Sequence, residues 1–457
     1  MSDRHDPDVE SYLLLLAAHR SPRTVDAYRR DLASLAATLD GTVGDVTTEQ
    51  IEAWLATMRA DGRAGSTIAR RLAANPLITP ADVKPSLPSL EVVSVFNAAA
   101  ARVGEEIVLL LRVAERPRTD IELPAGAMTL DLDGPEPVLR PLSPRRRMHE
   151  LVPMCFFNAA ADPAAVVVAY IPRDLPGLDL SDPRTIRYTR TAANSEVRGT
   201  PVDYLSQMSH LRVARSRDGE RFVIDDEPAL SPLTHLEEYG VEDPRATLID
   251  GVWQITYVSV SRLGITTSRA TTTDFRTFVR EGMIFLPDQK DVVIFPGKVR
   301  GRYVALTRPM PQSFSRVCGI WIAFSNDLAT WGAHEPLALP RWEMWDETRT
   351  GASAVPFLTS QGWLELYHGV DRYARYAMGA LLLDADDPRI VLARSKAPFL
   401  SPEAPYERVG LFANTVFSCG HVALDEDRIR LYYGAADSVT AGADLSVKEI
   451  LATLDGC

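Results

Sequence analysis

A short motif that returns at intervals of just over fifty residues puts the tightest bound on the fold. Ser216-Arg-Asp218-Gly-Glu-Arg-Phe222, Thr272-Thr-Asp274-Phe-Arg-Thr-Phe278 and Ser325-Asn-Asp327-Leu-Ala-Thr-Trp331 share a Ser or Thr, an Asp two residues on and an aromatic four residues later, with the aspartates 56 and 53 residues apart. Each follows an apolar or β-branched run (HLRVAR, GITTSRA, GIWIAF). A hydroxyl and a carboxylate at this spacing can cap a hairpin turn by accepting backbone N–H groups, and the aromatic is then placed to pack on a neighbouring unit. A period of this length with several strands in each unit predicts a β-propeller.

A second series agrees. Val108–Arg112, Trp253–Tyr257, Tyr303–Arg308, Trp363–His368 and Ile429–Tyr433 read as five apolar strands, several ending in a polar group: Arg112, Arg308, His368 and, just past the fifth, Asp437. A propeller gathers equivalent strand ends around its central channel, so residues hundreds apart can share one site. Residues 116–200 carry no matching repeat and read as long loops or an insertion, with one strand at Ala164–Tyr170.

The first 74 residues have a different period. Pro22 behind Ser21 suits a first helical turn, and Val25, Tyr28, Leu32, Leu35 and Leu39 make one apolar stripe. Thr47 and Gln50 form a capping box ahead of Ile51, Trp54 and Leu55, and Ser66 caps a last helix through Ile68 and Leu72. With a helix around Tyr12 to Leu16, four short helices are expected. A proline-rich stretch, Asn75 to Pro88, marks the boundary. The expected architecture is mainly β: a five-bladed β-propeller over 75–457, preceded by a small all-α four-helix domain over 1–74.

The net charge of −12 argues against a chain built to coat nucleic acid or an anionic membrane. Cys155, Cys318, Cys419 and Cys457 are scattered with no CxxC pair, which fits a reducing compartment, no disulfide framework and no metal site. The apolar run Leu13 to Ala18 is too short for a signal sequence or a membrane span. A cytoplasmic location with no membrane partner is the expectation, and self-association into a homo-oligomer is left open.

The chemistry centres on Val241-Glu-Asp243-Pro-Arg245-Ala-Thr247, where two carboxylates sit beside a φ-locking proline and an arginine, ahead of an Asp250-Gly251 turn and a strand-like run to Ser261. Pro244 stiffens the backbone next to Asp243, and Arg245 can neutralise either acid. From these residues alone an ion-paired surface loop competes with a catalytic acid.

Two resemblances decide more. SPRTVDAYRRDLASLAATL and STIARRLAA resemble the core-binding domain of Xer-type tyrosine recombinases, over about seventy residues. No recombinase catalytic set follows, and acidic residues outnumber arginines in this segment, so DNA contact through Arg23, Arg29, Arg30, Arg63, Arg70 and Arg71 stands as an alternative partner only. NPLITPADVKPS, VFNAAA, LLLRVAE, VEDPRAT, KDVVIFPGKVRGRYVALTRP, RTGASAVPFLTSQGWLELYHGVD and IRLYYGAAD, in that order, resemble glycoside hydrolase family 130.

That resemblance implies a five-bladed propeller and inverting attack on a β-mannoside, with Asp243 as the proton donor acting through a hydroxyl of the bound mannose. It implies Asn97, Arg112, Arg245, His368 and Asp437 as sugar-binding residues, with His368 a hydrogen bonder rather than a base. It implies phosphate held by Lys290, Arg308 and Arg349, although Lys and Arg are exchanged at 290 and 349 relative to the family pattern and the Pro-Gly usual after the Asn is missing at Asn97. No cofactor is expected beyond inorganic phosphate as co-substrate. Two outcomes stay open: phosphorolysis to mannose 1-phosphate, or hydrolysis with Glu347 or Asp346, and more weakly Glu407, as the base that activates water.

Overall fold

The computed structural model describes residues 71–72, 75–132, 137–189, 201–311, 314 and 316–456, all within the unit Arg71–Cys457. The helices expected before Arg71 lie outside the described residues. The last of them was expected to reach Leu72. Instead Arg71–Leu72 is a short strand, paired antiparallel with Asp444 and Ala443 of the strand Val439–Ser446. That pairing covers backbone groups which an edge strand would otherwise leave open.

The described residues build five antiparallel units. The first contains Leu90–Val103, Glu106–Pro117, Met208–Ser216 and Val223–Ile224. The second is Gly240–Ile249, Val252–Ser261, Gly264–Thr272 and Val279–Phe285, joined to the first through one parallel bridge, Ser209 to Gly240. The third is Gln289–Val299, Arg302–Pro309, Ile320–Ser325 and Trp331–Ala338. The fourth runs Arg349–Ala352, Gly362–Val370, Tyr376–Leu383 and Val391–Ser395, extended by Leu454–Gly456. The fifth is Val416–Ala423, Arg428–Ala435 and Val439–Ser446, completed by Arg71–Leu72. All five runs of the second sequence series occupy the second strand of a unit.

Leu90–Val103 touches both Gly240–Ile249 and Val416–Ala423, so the first unit lies against the second and the fifth. The core is divided accordingly. One apolar cluster joins Leu110 and Val213 to Ile255 and Tyr257. Another joins Ile294 and Ala305 to Phe285, a third joins Phe295 and Ile322 to Tyr367 and Leu381, and a fourth joins Leu109 and Ala214 to Tyr432. Strands such as Glu106–Pro117 are buried on both faces for this reason, and they read as continuous apolar runs rather than alternating ones.

The recurring motif links the third strand to the fourth in three units, with nearly the same hydrogen bonds each time. Asp218 Oδ1 accepts the N–H groups of Glu220 and Arg221, both at 2.8 Å, while Ser216 Oγ accepts that of Gly219. Asp274 and Thr272 repeat this with Arg276, Thr277 and Phe275, as do Asp327 and Ser325 with Ala329, Thr330 and Leu328. Two of the aromatics cross to a neighbour. Phe222 meets Tyr432 edge-on at 5.8 Å, and Trp331 stacks on Phe285 at 5.6 Å.

Residues 118–207 differ from the loop reading. They form a four-stranded sheet, Val138–Pro141, Met128–Asp131, Ala165–Pro172 and Leu151–Asn158, and a three-stranded one, Leu178–Asp179, Thr185–Tyr188 and Val202–Leu205. Several of these strands are only two to four residues long and carry surface ion pairs such as Arg187–Asp203 and Arg140–Asp131, which hides the apolar alternation. Their core packs on Tyr239 and on Val258 and Val260 of the second unit. No helix among the described residues is long and apolar enough to cross a membrane.

Candidate active site

Three first strands carry the same irregularity at the same place. The ladder slips between Phe96 and Ala99, between Glu242 and Arg245, and between Lys290 and Val293. A polar residue occupies each slip with a left-handed backbone: Asn97 at φ 49°, Asp243 at φ 44° and Asp291 at φ 56°. A bulge re-aims one side chain, and Asn and Asp tolerate this backbone region better than other residues with a Cβ. All three side chains reach one cavity of about 310 Å³. Asp437, also left-handed at φ 50°, enters it from beyond the second strand of the fifth unit. The stretch read as a loop around Asp243 is thus the bulged strand Gly240–Ile249, and Asp250-Gly251 is the hairpin turn after it.

Asp243 is 2% exposed. Its Oδ1 accepts from Asn97 Nδ2 at 2.8 Å and from Arg112 Nη1 at 2.9 Å, and Lys290 Nζ stands 3.4 Å from Oδ2. Arg112 also gives Nη2 to Glu242 Oε1 at 2.6 Å and Nε to Ser209 Oγ, and its guanidinium lies 4.5 Å from the centroid of the Phe96 ring. Burial works to raise the pKa of Asp243, but Arg112, Lys290 and Arg245 together outweigh it and hold the carboxyl well below the usual carboxylate range. Asp437 goes the other way. Burial, reinforced by the charge of Asp243, pushes it up to about 6 against the pull of Arg112 and Arg184. Gly434 makes room for this arrangement, because a Cβ there would run into Asn97 Oδ1.

Lys290, Arg308 and Arg349 line the same cavity. Arg308 gives Nε to Asp291 Oδ2 at 2.6 Å, and Arg349 gives Nη1 to the Tyr376 hydroxyl at 3.0 Å while its buried Nε finds no partner among the described residues. Asp291 is fully buried and also receives Arg245 Nη2 at 3.3 Å, with His368 Nε2 3.6 Å away. Burial opposes its ionisation, but the neighbouring cations, led by Arg308, hold its pKa low. Burial drives His368 down to about 3, and the charges of Arg308, Arg245 and Lys290 add to the effect. Its ring is therefore neutral, with Nδ1 sharing a 3.0 Å hydrogen bond with Ser353 Oγ.

Arg245 does not line the cavity. It lies behind the cavity wall, with its donors on the backbone oxygens of Asp243, Ser353 and Ala352 and on Asp291. It holds the bulge in shape rather than meeting a ligand. The candidate bases are elsewhere too. Asp346 is buried against Arg341, Arg394 and Tyr367, and Glu347 is paired with Arg372 at 2.6 Å. Glu407 accepts from the Tyr433 hydroxyl and two backbone N–H groups. None of the three lines the cavity.

Asp291 went unnoticed in the sequence as a site residue, although it stands one position after Lys290 just as Asp243 follows Glu242. Arg184, Thr185, Leu205 and Gln207 also line the cavity from the insertion, together with Phe412 and Tyr376, and no motif marked them. Among the described residues no group of three or more His, Cys, Asp or Glu is placed to hold a metal ion. The arrangement offers one strongly oriented carboxylate, one carboxyl that holds its proton to about pH 6, and three cations suited to an oxyanion.

Comparison with known proteins adds to this geometry. The family described as beta-1,4-mannooligosaccharide phosphorylase, glycoside hydrolase family 130, matches residues 202–456. The phage integrase N-terminal SAM-like domain matches residues 9–75. A beta-1,2-mannobiose phosphorylase of Listeria innocua is 39% identical over 381 residues, covering 83% of this chain and 97% of its own. The structure of beta-1,2-mannobiose phosphorylase from Listeria innocua, in complex with beta-1,2-mannobiose, superposes with a TM-score of 0.71 at 38% identity, over 84% of this chain and 99% of that one. A 1,2-beta-oligomannan phosphorylase of Thermoanaerobacter is 38% identical over 259 residues, 55% of this chain and 83% of its own. The chain belongs to glycoside hydrolase family 130, the mannoside phosphorylase family.

Proposed function

We propose that the protein cleaves short β-1,2-mannosides by phosphorolysis with inversion, releasing α-mannose 1-phosphate. The observation that carries this reading is the presence of Lys290, Arg308 and Arg349 in the same cavity as Asp243. A phosphate oxygen forms the new bond to C1 of mannose as the C1–O bond to the leaving sugar breaks. Asp243 passes its proton to a hydroxyl of the mannose, and that hydroxyl's own proton goes to the departing oxygen. Asn97, Arg112 and Asp437 hold the mannose, while Asp291, His368 and Arg245 keep the cations and the bulge in place.

Arg112 and Lys290 favour the ionised form of Asp243. A phosphate bound by Lys290 offsets part of that charge, so the acid is loaded as the nucleophile arrives. Hydrolysis is the weaker reading, since Asp346, Glu347 and Glu407 are each engaged by other residues away from the cavity. The β-1,2 linkage is supported by the relatives named above. The five units are read as blades of a five-bladed propeller, supported by the succession of their first strands and the contact of the fifth with the first. The match over residues 9–75 supports reading the N-terminal segment as a small helical module.

The test is a product assay on β-1,2- and β-1,4-mannobiose. Mannose 1-phosphate should form from the 1,2-linked sugar only when phosphate is present, and Asp243→Asn should reduce kcat/KM by about 10²- to 10⁴-fold without loss of folding. Equal mannose release in phosphate-free buffer would select hydrolysis instead.

A further inference from the structure

One fully buried acid, Glu365, has no part in the reaction described above and does not line the cavity. It lies on Gly362–Val370, the second strand of the fourth unit, between Leu364 and Leu366. Its Oε1 accepts the Ser353 N–H at 2.9 Å, and its Oε2 finds no partner among the described residues. Burial holds its pKa well above the usual carboxylate range, against the opposing pulls of that N–H and of the Arg245 charge. The side chain is therefore a neutral acceptor rather than a countercharge.

What Glu365 fixes is the peptide between Ala352 and Ser353, at the end of the strand that brings Arg349 to the cavity. Glu365 accepts the N–H of that peptide, and its carbonyl oxygen, on Ala352, accepts Arg245 Nη2 at 3.3 Å. The next carbonyl, that of Ser353, accepts Arg245 Nε at 3.1 Å. Two successive carbonyls thus meet one guanidinium, which depends on how the Ala352–Ser353 peptide is tilted. A hydrogen bond at one end of a peptide also polarises the other end. From Arg245 the contacts run to the backbone oxygen of Asp243 and to Asp291, which holds Arg308.

Ser353 has a second route to the same acid. The Asp291 carboxylate, 3.6 Å from His368 Nε2, favours a proton on that nitrogen. Ser353 Oγ then donates to Nδ1 at 3.0 Å rather than to the more distant Met378 Sδ at 3.9 Å. Gly351, opposite His368 in the ladder, leaves room for this contact, because a Cβ there would run into both His368 and Asp291.

We propose that Glu365 and Ser353 are positioning residues for phosphate, holding Arg245 and His368 against Asp291 and so fixing Arg308 in the cavity. This assignment rests on the phosphorylase reading and deepens it.

The experiment measures initial rates of phosphorolysis of β-1,2-mannobiose by the full chain, with phosphate and mannobiose varied separately. Glu365→Leu removes the acceptor for the peptide, and Ser353→Ala removes the donor to His368. Each should raise KM for phosphate by about tenfold, the effect of one lost buried hydrogen bond. KM for mannobiose should move by less than about twofold. Glu365→Gln keeps an uncharged acceptor oxygen, so its KM for phosphate should stay within about twofold of the unaltered protein, with the same pH profile. Ser353→Ala leaves the backbone bonds intact and provides the readout if Glu365→Leu does not fold. Unchanged phosphate KM in either variant, equal rises in both KM values, or a comparable rise in Glu365→Gln overturns the assignment. Sugar release by the unaltered protein in phosphate-free buffer is a separate result, which overturns the phosphorylase reading and this assignment with it.

Discussion

Two buried carboxyls in one cavity, Asp243 and Asp437, have been driven apart. Arg112 bonds the first directly and holds it ionised; the second keeps its proton to about pH 6. Such a split is the usual way that one site assigns different tasks to like groups. It also has a thermodynamic signature. The unfolded chain releases the Asp437 proton near its ordinary value of 3.8, whereas the folded protein holds it to about 6. Its contribution to stability is therefore complete below about pH 4 and is lost as pH rises to about 6. Asp437→Asn should melt above the parent protein at pH 7 and approach it at pH 4, as followed by scanning calorimetry. A pH-independent difference would contradict that account. At this scale the sequence was legible where a residue belonged to a quoted motif, as Asp243, Asn97 and Lys290 did. Asp291 stands in the same motif as Lys290 and was passed over all the same, because an acid beside a lysine reads as an ordinary surface ion pair until the bulge aims it into the cavity. Arg184 was hidden because its place in the cavity depends on a contact with Phe412 more than two hundred residues away.

At the scale of elements, two devices recur: the capped turn, which belongs to the fold and which the sequence showed, and the bulge, which shapes the site and which it did not. The turn has a hydroxyl and a carboxylate at fixed spacing and so repeats visibly. The bulge only adds one residue to a run that is buried on both faces, where there is no alternation to interrupt. The repeat also fades in the last two units for structural reasons. In the fourth, Asp384 alone accepts the N–H groups of Asp386 and Asp387, and in the fifth the fourth strand comes from Arg71–Leu72. Gly434 tests the bulge directly. A methyl group there meets Asn97 Oδ1, so Gly434→Ala should cost about 1–3 kcal/mol of stability through overpacking. It should also lower turnover, because Asn97 donates to Asp243. Urea unfolding and mannose 1-phosphate release on the same variant would show both effects; loss of stability with unaltered turnover would separate Asn97 from the chemistry.

At the scale of the molecule, every described residue that lines the cavity lies between Phe96 and Asp437. A protein starting at Arg71 should therefore retain phosphorolysis at a rate within about twofold of the full chain. Starting instead at Leu90 removes the pairing of Leu77 and Ile78 with Thr440 and the buried side chains of Ile78 and Val83, and it should lower the melting temperature by several degrees, of the order expected for a few kcal/mol. Loss of activity in the first truncation would give residues 1–70 a part in catalysis.

The strand pairings also impose an order of events on synthesis. The fourth unit receives its outermost strand, Leu454–Gly456, after the other described strands have been made, and the fifth cannot be covered until Val439–Ser446 meets Arg71–Leu72. A chain leaving the ribosome from its N-terminus carries an unmatched Arg71–Leu72 until Ala443 and Asp444 have been made, with open strand edges of the kind that recruit other chains. Open strand edges in the nascent chain are thus one source of aggregation, and slowed elongation should lower soluble yield, as read from the soluble fraction at matched expression.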